Sequence, residues 1–492
     1  MLRYVDMRLW PVTLLCAATG CAQIFGLDVT SSAPDANLDR TSLQLRRSSV
    51  GASVVSGKLD LTGQKADFYT DDGAGGYTKV PGELMPIDTF TAPILMGTPP
   101  VGFTTPDMSS HFWALPARQQ KGNYPVFEHP DPTDAATTSA IMLNITLPTM
   151  YTATESFRLL VVGAWTQHLL AAGELPAPDV GATTIAPAAL PYSSFTNVVG
   201  GMTKPRIIAS DVVLFLRYIG NHLTGVYQTQ FDQTDATDPV TGNLTALMDS
   251  GLTATIDPTG YATRYSAVRP ATTGLGMSWR VAACPGWSIG LDGGGVILNA
   301  GGSQMTDTMI NAPHANPFQS LGWKTLMTFT TTSSRSYTYM ALPVSLGASM
   351  QQIVEPGMSA SFNLPAGLPI TIRANLSPLT SDGMMLGLDL TKPVSIDAIV
   401  DKMSATLWGL SLYEIEVSGM TVTRKLVTDA VTTGMPTFKL PPELFQLGHT
   451  YVIQFRAYDG GYVNAASGDL QTVTLPISVS SLDGALFTVV AP

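Results

Sequence analysis

Along most of this 492-residue chain, apolar and polar positions alternate with a period of two. The pattern starts in "SLQLRR" (Ser42–Arg47) and continues through "ASVVSGKLDLTG" and "KADFYT". It returns in "AIMLNITL" (Ala140–Leu147), "SFRLLVVGAW" (Ser156–Trp165), "LMTFTTT", "SYTYMALPV" and "YVIQFRAY". Such alternation sends successive side chains to opposite faces of a pleated strand, and Gly, Asn and Asp break the runs as turns do. "VVLFLRYIGNHLTGVYQTQF" (Val212–Phe231) reads as a hairpin around Gly220-Asn221, a dipeptide suited to positive φ. A helix capped by Ser210-Asp211 is its alternative, since Val212, Val213, Phe215, Tyr218 and Ile219 also fit a 3.6-residue period. The β-branched and aromatic load favours strand. Helical character survives only in "TESFRLLVVGAWTQHLLAAG" and "SIDAIVDKMSATLW". The fold class expected is all-β, in two or three β-sandwich domains.

Breaks in this texture suggest an organisation. Residues 1–20 form a leader and 21–41 a polar, Pro-containing tether. A β-rich domain over 42–190 follows, and a second over 191–347 that forms one unit with the first or stands alone. A sandwich domain occupies 348–492. The changes fall at "AAGELPAPDVGATTIAPAALP" (Ala171–Pro191) and "ASMQQIVEPGMSASFNLPAGLP" (Ala348–Pro369). No short fixed period recurs, which argues against a solenoid or propeller.

Composition narrows the function. Charged residues make up 13% of the chain, about half the usual ~25%, so Thr and Ser carry much of the polar surface. The net charge of −11 supplies no basic field for nucleic acid. Hydrophobic content of 45% is ample for packed cores rather than disorder.

Two of the three cysteines stand in "LLCAATGC" (Leu14–Cys21). This follows a basic start, MLRYVDMR, and a short apolar run, LWPVTLLCAAT, far below the roughly 20 residues that span a bilayer. A basic end, a short apolar core and small residues before a cut site make a secretory signal. With Cys21 directly after Ala18, Thr19 and Gly20, the segment resembles the lipobox of bacterial lipoproteins. The resemblance implies that Cys21 is the lipid attachment site and mature N-terminus, and that Cys16 is discarded. Loss of Arg3, Arg8 and Asp6 then moves the net charge from −11 to −12. Ala22, in place of Asp, implies an outer-membrane or cell-surface location. An ordinary signal cut elsewhere, or a buried apolar N-terminal helix, is the other reading. With Cys21 acylated, Cys284 has no disulfide partner, so the domains must stand on apolar burial.

Near the C-terminus, "LFQLGHTYVIQFRAYDGG" (Leu444–Gly461) resembles the penultimate-strand region of fibronectin type III and related Ig-like sandwiches. Leu447, Gly448 and Tyr451 match the leucine, turn glycine and corner tyrosine, and Ile453, Phe455 and Ala457 alternate inward. The resemblance implies a structural corner at Tyr451. It also implies an earlier pair of strands in "SATLWGLSLYEIEV" (Ser404–Val417) with Trp408 in the core, a last strand in "GALFTVVA", and a role in adhesion, spacing or recognition.

Candidate chemistry is sparse. "IGLDGGGVILNAGG" (Ile289–Gly302) resembles the oxyanion glycine loop of patatin-like lipases. No Gly-x-Ser-x-Gly elbow follows, and its glycines miss the dinucleotide spacing, so a hairpin of tight turns is favoured. Asp232, Asp235 and Asp238 in "FDQTDATDPVTGN" are candidate calcium ligands, calcium being the one cofactor considered, without EF-hand spacing. The six histidines show no local zinc spacing. Cys284 reads as a buried apolar residue. Trp113, Trp287 and Trp323, near turns, are candidate stacking platforms for a sugar or apolar ligand, with core filling as the commoner fate of tryptophan.

The function expected is a non-enzymatic cell-envelope lipoprotein for adhesion, ligand binding or surface assembly. Its partners would be the membrane, through the N-terminal lipid, and an envelope protein or glycan. The alternative is a secreted, lipid-anchored hydrolase acting on a carbohydrate or ester, with catalytic groups gathered from loops. A third reading, an outer-membrane β-barrel, lacks evenly spaced lipid-facing strands.

Overall fold

The computed structural model describes residues 40–355 and 367–492, except 51–52, 94, 96, 128, 130–132, 136–138, 173–177, 187–188, 199–203, 210, 232–238, 256–262, 264–272, 286–294 and 302–308. Within them the named elements are β-strands and four short 3₁₀ turns. Both segments with helical character are extended. Glu155–Val161 and Thr166–Ala171 form a hairpin, and Val394–Val400 is a strand that ends before the next one begins at Leu407.

Alternation explains the half-buried strands. In Ala140–Thr146, Ile141, Leu143 and Ile145 point into a core while Met142 faces out. Where alternation fades, a strand is buried on both faces. Val212–Ile219 is buried at every position but the last. Val213 and Phe215 pack with Phe157, Tyr192 and Ile141, and Leu214 and Leu216 pack with Leu326, Phe329 and Met350 on the other side. The turn that follows places Gly220 at φ 59° and pairs Ile219 with His222.

A long sheet forms the spine of the molecule. Its order is Val296–Gly301, Thr273–Cys284, Lys324–Tyr339, Leu342–Val354, Ile477–Asp483, Thr450–Gly460, Leu407–Ser418, Thr421–Thr432, Ser110–Ala114, Val101–Thr104, Ala66–Asp71 and Tyr77–Pro81. One face of its C-terminal half meets a small sheet of Pro369–Ala374, Val394–Val400 and Thr437–Leu440. Trp408, Leu410, Ile453 and Phe455 interdigitate there with Ile372, Ile396 and Phe438. The opposite face meets the N-terminal sheet built around Arg40–Val50, where Leu43, Leu45 and Phe90 pack on Trp113 and Leu407.

The C-terminal region is therefore a β-sandwich. Tyr451, second residue of Thr450–Gly460, is fully buried and accepts the backbone N–H of Gln446 on its hydroxyl at 2.9 Å. That bond fastens the crossover between sheets to the strand it feeds. Two strands follow, Ile477–Asp483 and Phe487–Val490, so this strand is third from last rather than penultimate. Trp408 is fully buried, and its Nε1 donates to Gly434 O at 3.0 Å. "SATLWGLSLYEIEV" is one continuous strand, Leu407–Ser418, rather than a pair, because no turn residue interrupts it before Gly419.

The expected domain boundaries do not separate cores. Glu155–Val161 pairs with Val212–Ile219 across position 190. Leu342–Val354 crosses position 347 and pairs with Ile477–Asp483. Thr421–Thr432 pairs in parallel with Ser110–Ala114, Asp429 opposite His111. Both edges of the larger sheet of the C-terminal sandwich are thus continued by earlier strands, which covers backbone groups an edge would leave open. Strands find partners by matching apolar faces in register, not by proximity in sequence.

Candidate functional site

Three hairpin turns gather at one end of the C-terminal sandwich, each carrying a large apolar side chain. Tyr339 and Leu342 pair around Met340-Ala341, and Ser418 and Thr421 around Gly419-Met420. Ala374 and Ser377 pair around Asn375-Leu376. The register puts them together. Glu414 lies opposite Tyr451, which lies opposite Phe487, so the last turn of residues 407–418 rises beside the tyrosine corner. Tyr339 Oη donates to Thr450 Oγ1 at 2.9 Å, and Arg424 donates to Ser345 O, tying the first two hairpins to that end. Strand Pro369–Ala374 starts after Gly367, beside Trp408, and passes Gly484 at Ile372, so its turn reaches the same end.

At these tips Met340 is 71% exposed, Leu376 74% and Met420 87%. Met385 and Leu447, also largely exposed, stand nearby on strand Met384–Gly387 and on the corner before Tyr451. Two of the turns hold their residues in the left-handed region: Met340 at φ 48°, Ala341 at 66°, Asn375 at 45° and Leu376 at 68°. Two-residue hairpins of this geometry favour Asn-Gly, and an apolar L-residue there is strained. Beneath the tips, Val344, Ile415 and Val452 form a small core that fixes the hairpins to one another. Around it, charges are paired: Glu416 with Lys425 at 3.0 Å, Glu414 with His449 at 2.5 Å, Asp483 with Arg424 at 3.0 Å and Asp397 with Arg373 at 2.7 Å.

The polar clusters lie elsewhere. Ser194, on the 3₁₀ turn Tyr192–Ser194, places Oγ 3.1 Å from His168 Nδ1. The hydroxyl also lies 2.6 Å from Pro191 O, and a proton given to that carbonyl makes Ser194 the acceptor from His168. The imidazole is 8% exposed, and its Nε2 has no hydrogen-bond partner among the described residues. In this geometry the histidine donates to the serine rather than taking its proton, and among the described residues no carboxylate orients it as in a triad. His129 Nε2 sits 3.0 Å from Asp211 Oδ2, which also accepts the Ile208 N–H at 2.9 Å, and both side chains are buried. This pair closes the floor under Gly163, where an added Cβ would meet Asp211 Oδ1 at 2.2 Å.

A cleft of about 160 Å³ lies beside His111, lined by Lys65, Asp67, Tyr69, Thr428 and Leu444. It is below the ~300–1,000 Å³ common for small-molecule sites. His111 stacks on Phe103 at 5.1 Å, with Nε2 3.4 Å from Thr105 Oγ1. Burial lowers its pKa against the opposing pull of Asp429 and Asp107, with Arg456 adding to the lowering, which favours the neutral imidazole. Asp429 accepts from Ser411 at 2.6 Å and from Arg456. These groups answer one another and hold layers together.

Of the expected site residues, Trp113 and Trp323 are corrected. Both are core residues, 9% and 3% exposed, because Trp113 fills the space over Gly122 and Trp323 stacks with Trp165 at 6.0 Å. Neither offers a ring face to a ligand. Trp287, the aspartates 232, 235 and 238, and Cys21 lie outside the described residues. So do Asp292, Gly293 and Gly294 of the glycine run, while Val296–Gly301 pairs antiparallel with Thr273–Cys284. Cys284 is fully buried, and burial pushes its thiol up to about 12, with Arg280 pulling weakly the other way. No group of three His, Cys, Asp or Glu side chains suited to a metal occurs among the described residues. Sequence reasoning missed the tips. Their signal was present, as an apolar residue at a hairpin turn where Gly or Asn is favoured, in "TYMALP" and "RANLSP".

No family model matches the chain, and no curated protein matches it. Among solved structures, the N-terminal eight Ig domains of Down syndrome cell adhesion molecule, isoform 1.30.30, align with 92% of this chain at 7% identity and a TM-score of 0.09. The chain spans 61% of that structure, and the score is too low to indicate a shared fold.

Proposed function

We propose that this chain is a non-enzymatic cell-envelope protein, exported and held at the membrane by an acylated Cys21, that binds a partner surface through the tip of its C-terminal sandwich. The observation that carries the binding role is the set of three hairpins presenting Met340, Leu376 and Met420 to solvent at one end. Large exposed apolar groups gathered in one place mark interaction sites, and backbone strain that persists at such a place points the same way. The mooring rests on the lipobox-like "AATGC" alone.

Two measurements test the reading. Mass spectrometry of the membrane fraction is expected to find a mature chain beginning at a lipid-modified Cys21. An unmodified chain with another start removes the mooring. Cells displaying the triple variant Met340→Ser/Leu376→Ser/Met420→Ser are expected to lose adherence. Unchanged adherence removes the binding role.

The Ser194–His168 contact of 3.1 Å favours a second reading, an ester hydrolase. It predicts fluorophosphonate labelling that Ser194→Ala abolishes. Absence of labelling on the folded chain eliminates it.

A further inference from the structure

We infer that the partner of the sandwich tip is a phospholipid surface, into whose interfacial layer the three hairpin turns insert. This rests on the binding role proposed above and names what is bound. A protein partner is captured best by a central packed cluster ringed by polar groups. Here each apolar side chain sits on its own two-residue turn and is more than two-thirds exposed. Separate fingers are poorly matched to a rigid counter-surface and well matched to a fluid that closes around each one.

The chemistry behind the tips agrees. A segment lying in the membrane interface needs apolar tips and no unpaired charge at their level. The acids nearest the tips, Glu414, Glu416, Asp483, Asp397 and Asp382, each have a basic partner in His449, Lys425, Arg424, Arg373 and Arg335. In a chain of net charge −11 this end is close to balanced, so neither zwitterionic nor anionic lipid repels it strongly. Strain adds a third point. Met340 and Leu376 hold left-handed backbone that Asn or Gly would hold more cheaply, so their side chains are kept against a local cost.

Strand Arg40–Val50 enters the fold at the other end, where Ser42 N–H bonds Arg118 O and Lys121 N–H bonds Gly468 O, beyond the far end of strand Thr450–Gly460. The entry of the chain and the apolar tips thus lie at opposite ends of the fold.

The test uses chain 21–492 with Cys21→Ala, so that no acyl chain carries it, and vesicles of phosphatidylcholine alone or with 30% phosphatidylglycerol. Flotation with both vesicle types is expected. Partitioning should fall roughly 100-fold in Met340→Ser/Leu376→Ser/Met420→Ser, since three partly inserted side chains are lost. Because that variant could fold poorly, a second probe reads insertion in a folded chain. The indole introduced by Met420→Trp should shift its emission to the blue on vesicles and be quenched by lipids brominated on their acyl chains. No flotation, or equal flotation of the triple variant, overturns the inference, as does an introduced indole that the brominated lipids leave unquenched. If vesicles are not bound while the triple variant still abolishes cell adherence, the lipid assignment falls and the binding role stands.

Discussion

Replacing Met340-Ala341 by Asn-Gly should make the protein more stable. Both residues sit in the left-handed region, at φ 48° and 66°, in the two-residue turn that joins Lys324–Tyr339 to Leu342–Val354. An L-residue there costs roughly 1–2 kcal/mol through the contact of its Cβ with the carbonyl oxygen. Asn tolerates the conformation better than Met, and Gly removes the clash but gives back ~0.5–1 kcal/mol in the entropy of the unfolded chain. Met340 is 71% exposed, so little packing is lost. The expected gain is about 1–2 kcal/mol. It should appear as a rise of roughly 0.5 M in the urea midpoint of chain 21–492 with Cys21→Ala, followed by tryptophan fluorescence. Met420→Asn is the control. Gly419 already holds the positive φ of its turn, at 60°, and Met420 holds none, so no comparable gain is expected. A midpoint that is unchanged or lower in the Asn-Gly variant, or one that rises equally in the control, refutes the reasoning.

Cys284 should resist 5,5′-dithiobis(2-nitrobenzoate) at pH 8 in the native chain and react at once in urea, because a thiol pushed up to about 12 by burial yields almost no thiolate; rapid native labelling would contradict this. Glu155 and Arg217 form a buried pair, with Arg217 Nη2 2.7 Å from Oε1 and Nε 3.1 Å from Oε2. Glu155→Gln strands the guanidinium charge and should cost about 3–5 kcal/mol, seen as a large fall in the urea midpoint, whereas a loss under ~1 kcal/mol would mean that water reaches the site. For Asp107, burial works to raise the pKa and is outweighed by hydrogen bonds from Thr105, Ser109 and Tyr124, which hold it at about 2. A carboxyl depressed below its unfolded value of about 3.9 stabilises the fold above that pH and loses its contribution as pH falls toward 2. Asp107→Asn should therefore lower stability by only ~1 kcal/mol at pH 7, the site being largely exposed, and the gap should close between pH 4 and pH 2 in thermal melts; a pH-independent gap would contradict this.

Much of the local structure was legible because its causes are local. Period-two runs became strands, as in Ile141, Leu143 and Ile145. Gly220 supplied the positive φ that its hairpin requires. The candidate site was not legible in the same way. Trp113 and Trp323 lie near turns in sequence, yet each turn folds back over a core, and nothing in a single strand tells which of its faces a distant layer will cover. Along the chain, Leu376 comes 36 positions after Met340 and Met420 comes 44 positions after Leu376. They reach one end of the sandwich only because the strands that carry them run the same way through the packed layers.

By itself the sequence determined the extended backbone, most turns, the burial of Cys284 and the corner tyrosine, since alternation, turn chemistry and a short motif act within a few residues. Only the tertiary structure decided that Ser110–Ala114 lies beside Thr421–Thr432, that the expected domains share one spine, and that the apolar turns face one way. The physical reason is that a strand's edge and faces are satisfied by whichever partner matches in register. That match is a property of the packed layers, and no segment holds it alone.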